Sequence, residues 1–380
     1  MQALRRSEPL IGTLTRAQAV QAIQTQTVPT GDNQQEECML AQGPNVAAPG
    51  ADGGTLNQLI WGFTRSQAVY VTAKLGIVDV LSDGAQTPRA IAERVGADER
   101  ALRRLLRALT TIDILVEDRH ERFAATPTGE LLRSNHPQSV RAFAICMGAP
   151  LVWRPWGELC GGIQTGTPAF DDVYGESFFA YLGRRPEQAA LFDAAMTSIS
   201  SGNLPAILAA YDFSGLTKII DIGGGRGTLL QGILEQYPQA SGVLFDLLPV
   251  VTEAHPIKAS SVAARCSFVG GDMFRAVPPD GDAYILKSIL HDWSDAEALQ
   301  ILRNCRQVIA EQGKLLVVEL LLAPSNQPDF TKWLDLNMLV LLSGRERSEA
   351  EFRELYAIAG FRLTRIIPLG ARAIIEGVPI

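Results

Sequence analysis

Cysteine is scarce in this sequence, and so are histidine and long hydrophobic runs. The chain has five cysteines, an odd number, scattered and without a Cys-x-x-Cys pair, which argues against a disulfide framework and against a zinc site. We therefore expect no metal site and a reducing, cytoplasmic location. The longest apolar run, Leu315 to Ala323, contains Glu319 and is too short to span a bilayer, so no membrane partner is expected.

Positive charge is limited as well. The 380 residues carry 34 lysines and arginines against 41 aspartates and glutamates, a formal net charge of −7. A protein whose main task is to bind nucleic-acid phosphates is normally basic, so nucleic acid is not expected as the principal partner. The length is sufficient for two domains with a substantial core.

Composition and periodicity divide the chain into four segments. Residues 1–54 lack apolar periodicity and are predicted to be a disordered extension. Residues 55–136 are predicted to form three helices, the first over Ser66 to Leu81, and then two short strands, which is a winged-helix pattern. Residues 137–212 are predicted to be a helical linker and pocket region rich in aromatic side chains. Residues 213–380 alternate between strand and helix patterns, which predicts a parallel sheet covered by helices.

The helices of residues 55–136 permit two interpretations. They offer more apolar surface than so small a unit can bury alone, which favours a homodimer built through this segment. Alternatively, the third helix carries four arginines that suit a winged-helix DNA-binding regulator, Arg100, Arg103, Arg104 and Arg107. Residues 56–135 hold 11 lysines and arginines against 10 acidic residues, a net of +1, which is weak for a DNA-binding surface.

A glycine-rich loop is the most informative local motif. The strand pattern Lys218 to Ile222 is followed at once by Gly223-Gly224-Gly225-Arg226-Gly227 and then by a helix pattern. Glycines let a ligand approach the backbone, and a helix N-terminus offers free N–H groups to a negative group. The spacing lacks the third glycine of Gly-x-Gly-x-x-Gly, which disfavours NAD.

Two acidic residues near later strand ends extend this pattern. Asp246 ends the next strand pattern and can accept hydrogen bonds from the ribose hydroxyls of a nucleoside. Asp272 can accept a hydrogen bond from an adenine amino group, and Met273 can pack on the adenine ring. Because the carboxyl ends of parallel strands form the ligand-binding edge of an open α/β sheet, we expect a nucleoside cofactor there.

Five motifs occur in the order that is found in one enzyme family. They are Asp221 to Gly227, Phe245 to Leu247, Gly271 to Phe274, His291 to Asp295, and Gly344 to Ser348. As a set they resemble the plant caffeic-acid-type and bacterial natural-product small-molecule O-methyltransferases, from about Leu56 to the C-terminus. The resemblance implies an α/β fold, with a Rossmann-like class I methyltransferase domain behind a winged-helix-like, mostly helical domain that dimerises.

The resemblance also implies the residues of the site. S-adenosylmethionine is expected near Gly223, Gly225, Asp246, Asp272, Met273 and Lys287, with Trp293 beside the adenine. His291 is expected to be the general base, oriented by Glu319 and Glu346. The acceptor pocket is expected to be lined by Phe192, Met196, Ile199, Asn337 and Met338. Asn337 stands where the plant enzymes commonly have an aliphatic residue, which favours a different acceptor.

The chemistry of these residue types agrees with a base at His291. Methyl transfer to a phenol must remove a proton whose pKa is about 10, and histidine is the side chain that titrates near neutral pH. Glu319 interrupts an apolar strand pattern, where a carboxylate needs a partner. The imidazole is one such partner, and an arginine is the alternative. Glu346 lies in a charged segment, where simple solvation is the alternative.

The expected function is therefore S-adenosylmethionine-dependent O-methylation of a small molecule that carries a hydroxyl group. The apolar and aromatic pocket residues favour an aromatic or polyketide-like acceptor over a sugar. A family member that binds the cofactor but performs a different reaction, such as hydroxylation or decarboxylation, is the other interpretation. The presence of His291 and Glu319 argues against that alternative.

Overall fold

In a computed structural model of the chain, the described residues are 53–324 and 326–380. Residues 58–380 form one compact unit. The predicted disordered extension, residues 1–54, falls almost entirely outside the described residues. Within the described part, no helix has the length and the apolar character that a membrane span requires.

Short helices and one hairpin make up the N-terminal part. The elements are α1 (Gly53–Ile60), α2 (Gly62–Leu75), α3 (Ile77–Val80), α4 (Pro88–Val95), α5 (Glu99–Thr110), β1 (Leu115–Glu117), β2 (Phe123–Ala125) and α6 (Pro127–Glu130). The Thr87 hydroxyl accepts a hydrogen bond from the Ala90 N–H at 3.3 Å and begins α4. The Asp98 carboxylate begins α5 in the same way through the Ala101 N–H at 2.9 Å. Such caps satisfy N–H groups that have no partner inside the helix.

The predicted first helix, Ser66 to Leu81, was wrong in its extent. Helix α2 ends at Leu75, and Gly76 adopts a left-handed conformation with φ of 67°. Glycine tolerates this conformation without steric cost. The turn redirects the chain so that Ile77 and Leu81, in the short helical turns that follow, still reach the same core as Ala73. The apolar spacing therefore identified the buried residues but not the helix end.

Two of the four arginines of α5, Arg103 and Arg107, pair with acidic residues of the hairpin β1–β2 and of α5 itself. Arg103 lies 2.8 Å from Glu121 and 3.4 Å from Glu99. Arg107 lies 3.7 Å from Glu121 and 3.9 Å from Glu117. Because their charge is matched locally, these side chains offer little to a phosphate backbone. This pairing argues against the DNA-binding interpretation.

After the N-terminal part, the chain forms a series of helices and then a seven-stranded sheet with further helices between its strands. The helices before the sheet are α7 (Arg141–Gly148), α8 (Pro150–Gly157), α9 (Leu159–Thr165), α10 (Ala169–Tyr174), α11 (Phe178–Gly183) and α12 (Pro186–Ala210). The strands are β3 (Lys218–Ile222), β4 (Ser241–Asp246), β5 (Cys266–Gly270), β6 (Ala283–Lys287), β7 (Lys314–Leu320), β8 (Phe361–Leu369) and β9 (Arg372–Pro379). The helices among them are α13 (Thr228–Gln236), α14 (Leu248–Thr252), α15 (His255–Lys258), α16 (Asp295–Val308), α17 (Thr331–Leu341) and α18 (Glu349–Ala359).

The strand order is β5-β4-β3-β6-β7-β9-β8. The pairs from β5 to β7 are parallel, whereas β9 pairs antiparallel with both β7 and β8. This mixed sheet confirms the predicted Rossmann-like fold class. The sequence patterns did not predict β5, β8 or β9.

Alternate side chains of the central strands pack on opposite faces of the sheet. Ile220 and Ile222 of β3 join a core with residues of α16 and α18. Ile219 faces the other way and joins a core with residues of α12 and α13. Burial on both faces explains why the strands are nearly continuous apolar runs. Because β4, β3 and β6 are neighbouring parallel strands, their carboxyl ends lie together at one edge of the sheet, where the candidate site lies.

Candidate active site

The glycine loop turns sharply after β3. Gly223 and Gly225 have φ of 64° and 58°, in the left-handed region that glycine tolerates. A Cβ on Gly223 would collide with the side chain of Ile289, so the loop lies directly against the segment that follows β6. A Cβ on Gly225 would meet no atom within 4 Å, so this side of the loop is open. The loop thus offers bare backbone to a ligand.

Asp246 at the end of β4 is tied to this loop. Its carboxylate accepts hydrogen bonds from the Gly225 N–H at 2.8 Å and from the Leu247 N–H at 2.7 Å. Burial raises the pKa of Asp246, whereas these two hydrogen bonds lower it. The structure therefore brings Gly225 and Asp246, which are 21 residues apart, to one place.

Asp272, Met273 and Trp293 lie in an aromatic setting. The Asp272 carboxylate accepts from the Phe274 N–H at 2.9 Å, and the Met273 carbonyl accepts from the Asn304 amide at 2.7 Å. The Trp293 ring packs edge-on to Phe274, with ring centroids 4.7 Å apart. These contacts fix the loop after β5 against the segment that contains Trp293.

Lys287 connects the sheet to the longest helix. Its Nζ donates to the Ser200 hydroxyl of α12 at 2.8 Å. Burial and the neighbouring Arg372 lower the pKa of Lys287 to about 8, whereas Asp221 and Glu319 oppose this shift. Three predicted pocket residues, Phe192, Met196 and Ile199, lie on the same helix.

Asp221 is a buried carboxylate to which the sequence patterns assigned no role. It lies within β3 and is 1% exposed, and its Oδ2 has no hydrogen-bond partner among the described residues. Burial raises the pKa of Asp221 to about 7, Lys287 opposes the shift and Asp246 reinforces it. A carboxylate inside an apolar strand was a visible signal, the same one that singled out Glu319.

His291 lies in a 3-10 turn, Leu290–Asp292, just after β6. Its ring Nδ1 is 2.7 Å from Oε1 of Glu346 and 3.6 Å from Oε2 of Glu319. The first distance is that of a hydrogen bond and the second is not. On the other side of the ring, Nε2 is 3.4 Å from Oδ1 of Asp292.

Glu319 and Glu346 make different contacts, although both were expected to orient His291. Glu346 is 1% exposed rather than solvated, and it holds the imidazole. Glu319 was expected to pair with the ring. Instead its Oε1 accepts hydrogen bonds from the backbone N–H groups of Ile289 and Leu290, at 3.0 and 2.9 Å. Glu319 therefore contacts the backbone of the turn, and Glu346 contacts the ring.

The pKa values of His291 and of the carboxylates around it are strongly shifted by burial and by their mutual charges. Burial alone lowers the pKa of the His291 imidazole. The three surrounding carboxylates, those of Glu319, Asp292 and Glu346, outweigh burial and raise this pKa to about 10. Burial also raises the pKa of Asp292 to about 7 and raises that of Glu346, whereas the imidazole lowers both. The group therefore binds protons more tightly than its separate members would.

The donor set also has the chemistry of a metal site. His291, Glu319 and Glu346 offer ligand atoms that all lie within 4.8 Å of one another. However, Nδ1 of His291 and Oε1 of Glu346 are already at hydrogen-bond distance, and a metal ion would have to displace the proton between them. The observed geometry fits a shared proton.

The predicted acceptor-pocket residues come from two helices. Phe192 and Met196 of α12 pack in one apolar cluster with Val340 and Leu341 of α17. Asn337 of α17 is buried, and its Oδ1 accepts a hydrogen bond from the Trp156 indole N–H at 2.9 Å. Ile199 and Met338 lie on the same two helices outside that cluster.

The sequence matches two family models. The O-methyltransferase domain matches residues 156–362, and the O-methyltransferase dimerisation domain matches residues 57–135. The first match includes the glycine loop, His291 and Glu346. The second covers the helices and the hairpin of the N-terminal part.

Several curated proteins are similar over most of their length. Phenazine O-methyltransferase PhzM of Lysobacter antibioticus is 42% identical over 327 residues, covering 86% of this chain and 96% of the relative. Mitomycin biosynthesis 6-O-methyltransferase of Streptomyces lavendulae is 36% identical, covering 87% and 95%. An 8-amino-8-demethylriboflavin N,N-dimethyltransferase of Streptomyces davaonensis is 38% identical, covering 80% and 88%. The relatives thus include enzymes named for transfer to oxygen and to nitrogen.

Solved structures agree with these relatives. The crystal structure of LaPhzM has a TM-score of 0.83 at 42% identity, covering 86% of this chain and 99% of that chain. An O-methyltransferase from neocarzinostatin biosynthesis, solved with S-adenosylmethionine and 2-hydroxy-5-methyl naphthoic acid, has a TM-score of 0.73 at 33% identity, covering 83% and 96%. With both domains matched, the chain belongs to the S-adenosylmethionine-dependent O-methyltransferase family.

Proposed function

We propose that this enzyme methylates a hydroxyl group of an aromatic or polyketide-like small molecule, with His291 as the general base. The observation that carries the proposal is the 2.7 Å contact between Nδ1 of His291 and the buried carboxylate of Glu346. This contact favours the tautomer in which Nδ1 carries the proton, and it leaves Nε2 to accept one.

The edge of the sheet fits S-adenosylmethionine. The open side of the loop at Gly225 and the adjacent Asp246 carboxylate suit a nucleoside that lies against the backbone. The proposed contacts are Gly223, Gly225, Asp246, Asp272, Met273, Lys287 and Trp293. The bound cofactor would supply a methyl group on a positively charged sulfur. The complex of the neocarzinostatin enzyme supports this assignment.

The proposed role of His291 is to take the hydroxyl proton of the acceptor. As the acceptor oxygen gains the methyl group, its proton moves to Nε2, and the bonding pair of the broken S–C bond stays on sulfur. The carboxylate of Glu346 stabilises the resulting imidazolium. The neutral ring is the form that accepts the proton. Because the pKa of His291 is raised to about 10, close to that of a phenol, this form and the rate should increase as the pH rises towards 10.

The acceptor is proposed to lie between α12 and α17. Apolar side chains of both helices, including Phe192, Met196 and Met338, suit a flat aromatic ring. Asn337 and Ile199 are proposed as further lining residues. The ligand of the neocarzinostatin enzyme is a naphthoic acid, which supports an acceptor of this class.

We also propose that the enzyme is a homodimer. The match of residues 57–135 to a dimerisation domain supports this. The apolar residues Leu59, Ile60, Trp61 and Phe63 are more than half exposed, and a partner would cover them. Light scattering at micromolar concentration should give the mass of two chains. The four described cysteines are free thiols, which fits a cytoplasmic location.

Nitrogen methylation is the second candidate, because one relative is an N,N-dimethyltransferase. An aromatic amine is nucleophilic without losing a proton first, so it needs a base less than a phenol does. A panel of matched phenols and anilines, assayed with labelled S-adenosylmethionine, separates the two functions. Labelled phenol products that disappear in His291→Ala would support the proposal. Labelling of anilines alone, unaffected by this change, would overturn it.

A further inference from the structure

Arg347 is a buried cation for which the mechanism above has no use. It follows Glu346 in the loop between α17 and α18 and is 1% exposed. Its Nη1 donates to the Leu290 carbonyl at 2.7 Å, and its Nη2 donates to the Trp293 carbonyl at 3.0 Å. Nε and Nη2 also reach one carboxylate oxygen of Asp295, at 2.9 and 2.8 Å.

The two carbonyls lie before and after His291 in the chain. Leu290 precedes His291, and Trp293 follows Asp292, so one guanidinium spans the turn from both ends. A buried charge is costly unless it is paired and hydrogen-bonded. Arg347 meets this condition through backbone atoms of the turn and through Asp295 of α16. A lysine has no planar fork and cannot make these contacts together.

Gly344, in the same loop as Arg347, packs directly against the His291 turn. A Cβ on Gly344 would collide with the backbone of His291 and Asp292, so the loop lies in direct contact with the turn. The Glu346 N–H donates to the Asp335 carboxylate of α17 at 2.8 Å, which holds the loop in place. The loop therefore delivers Glu346 to the ring and Arg347 to the backbone beneath it.

We propose that Arg347 is a positioning residue that locks the His291 turn in register with Glu346. This inference rests on the proposed role of His291 as the base. Without the clamp, the turn is free to move, and the short contact between Nδ1 and Oε1 lengthens. A displacement of about 1 Å at a reacting group can cost about a hundredfold in rate.

A displacement of the His291 ring would be detected as a change in its pKa, because the charged groups around the ring set that pKa. Glu346 faces Nδ1 from the loop, Glu319 faces it from β7, and Asp292 faces Nε2 from the turn itself. The charge of Arg372 in β9 lowers the pKa of Glu346. Because these carboxylates raise the pKa of His291, moving the ring away from Glu346 should lower that pKa towards its ordinary value. An arginine that contributes only to the stability of the fold would leave the pKa of His291 unchanged in a folded variant.

The test compares Arg347→Lys and Arg347→Gln with Arg353→Lys. Arg353 is an exposed arginine of α18 that pairs with Glu349 and with no other acidic group among the described residues. Three quantities are measured for each full-length variant: kcat with saturating acceptor, the affinity for S-adenosylmethionine, and the titration midpoint of His291 by NMR of histidine-labelled protein.

We expect kcat to fall about tenfold in Arg347→Lys and about a hundredfold in Arg347→Gln. The affinity for S-adenosylmethionine should stay within about twofold of the wild type, and the His291 midpoint should move to lower pH in both variants. Arg353→Lys should change none of these quantities. A folded Arg347→Lys with an unchanged midpoint would overturn the proposal, and so would an Arg347→Lys that does not fold. If the wild type methylates no hydroxyl, the proposed function fails, while the NMR midpoint still tests the clamp.

Discussion

The glycine loop and the histidine turn lie at the same edge of the sheet, but they are built in different ways. The loop after β3 takes its shape from its own glycines and is hydrogen-bonded to the end of the neighbouring strand β4, at Phe245 and Asp246. The turn after β6 is held by β7 through Glu319 and by the loop after α17 through Glu346. The first motif is local in sequence, and the second is assembled from distant segments.

The two regions also differ in their charge. At the loop, open backbone and a single half-buried carboxylate suit a bound nucleoside. At the turn, three carboxylates surround one imidazole, and their unpaired oxygens, Oε2 of Glu319 and Oε2 of Glu346, have no hydrogen-bond partner among the described residues. The difference suggests that one region serves affinity and the other serves proton transfer, which the following variants can test.

The largest effect is expected from His291→Ala. Removing the base should lower kcat by about 10² to 10⁴-fold. The affinity for S-adenosylmethionine, measured by calorimetry, should stay within about twofold of the wild type, because the imidazole acts on the acceptor. His255→Ala, at an exposed position, is the control. A variant that retains most of the wild-type rate would reduce His291 to a structural role.

The opposite pattern is expected at the glycine loop. Asp246→Ala should weaken S-adenosylmethionine binding by about 10- to 100-fold, since charged hydrogen bonds are worth about 1.5–3 kcal/mol. Gly225→Val should also weaken binding, because valine tolerates a φ of 58° poorly. In both variants kcat at saturating cofactor should change less than the affinity does. Wild-type affinity in both would remove the loop from the cofactor site.

The pH dependence of kcat should distinguish the variants Glu346→Gln and Glu319→Gln. Glu346→Gln removes the carboxylate that contacts the ring, so the pKa of His291 should fall and the acid limb of kcat should move to lower pH. We expect a loss of about tenfold in maximal kcat, because an amide cannot stabilise the imidazolium as a carboxylate does. Glu319→Gln should cost less, since an amide oxygen still accepts the backbone N–H of Leu290. A larger loss in Glu319→Gln than in Glu346→Gln would reverse the assignment.

The smallest effect concerns stability. Burial raises the pKa of Asp221 to about 7, so its ionisation destabilises the folded state as the pH rises from the unfolded value, near 4, towards 7. Asp221→Asn should therefore raise the unfolding midpoint by a few degrees at pH 8, on the order of 1 kcal/mol, and leave it nearly unchanged at pH 4. Equal midpoints at pH 8 would show that Lys287 compensates the charge.

Local sequence predicted one of the two regions much better than the other. The bounds of β3 were predicted correctly, because a buried parallel strand is a short apolar run that ends at glycine or polar residues. Gly223, Gly225 and Asp246 follow from such runs. Glu346 is 55 residues from His291, and periodicity carries no information about which distant carboxylate reaches a ring. Only the family resemblance brought it forward.

The same limit applies to Asn337 and to the end of α2. The partner of Asn337 is Trp156, which is 181 residues away. Gly76 ends α2 in a left-handed turn that glycine tolerates, although the apolar spacing continues beyond it. For Asn337 the decisive contact joins segments that are distant in the sequence. For α2 the capping glycine, rather than the apolar spacing, marks the end of the helix.

The most direct test of the account is the titration of His291 itself. The chain has four histidines, so the signal of His291 in histidine-labelled protein can be identified by its loss in His291→Ala. The carboxylates around the ring predict a midpoint well above the ordinary value of about 6.5, shifted to lower pH in Glu346→Gln. A wild-type midpoint at or below 6.5 that does not respond to Glu346→Gln would contradict the claim that Glu346 holds His291 as a strengthened base.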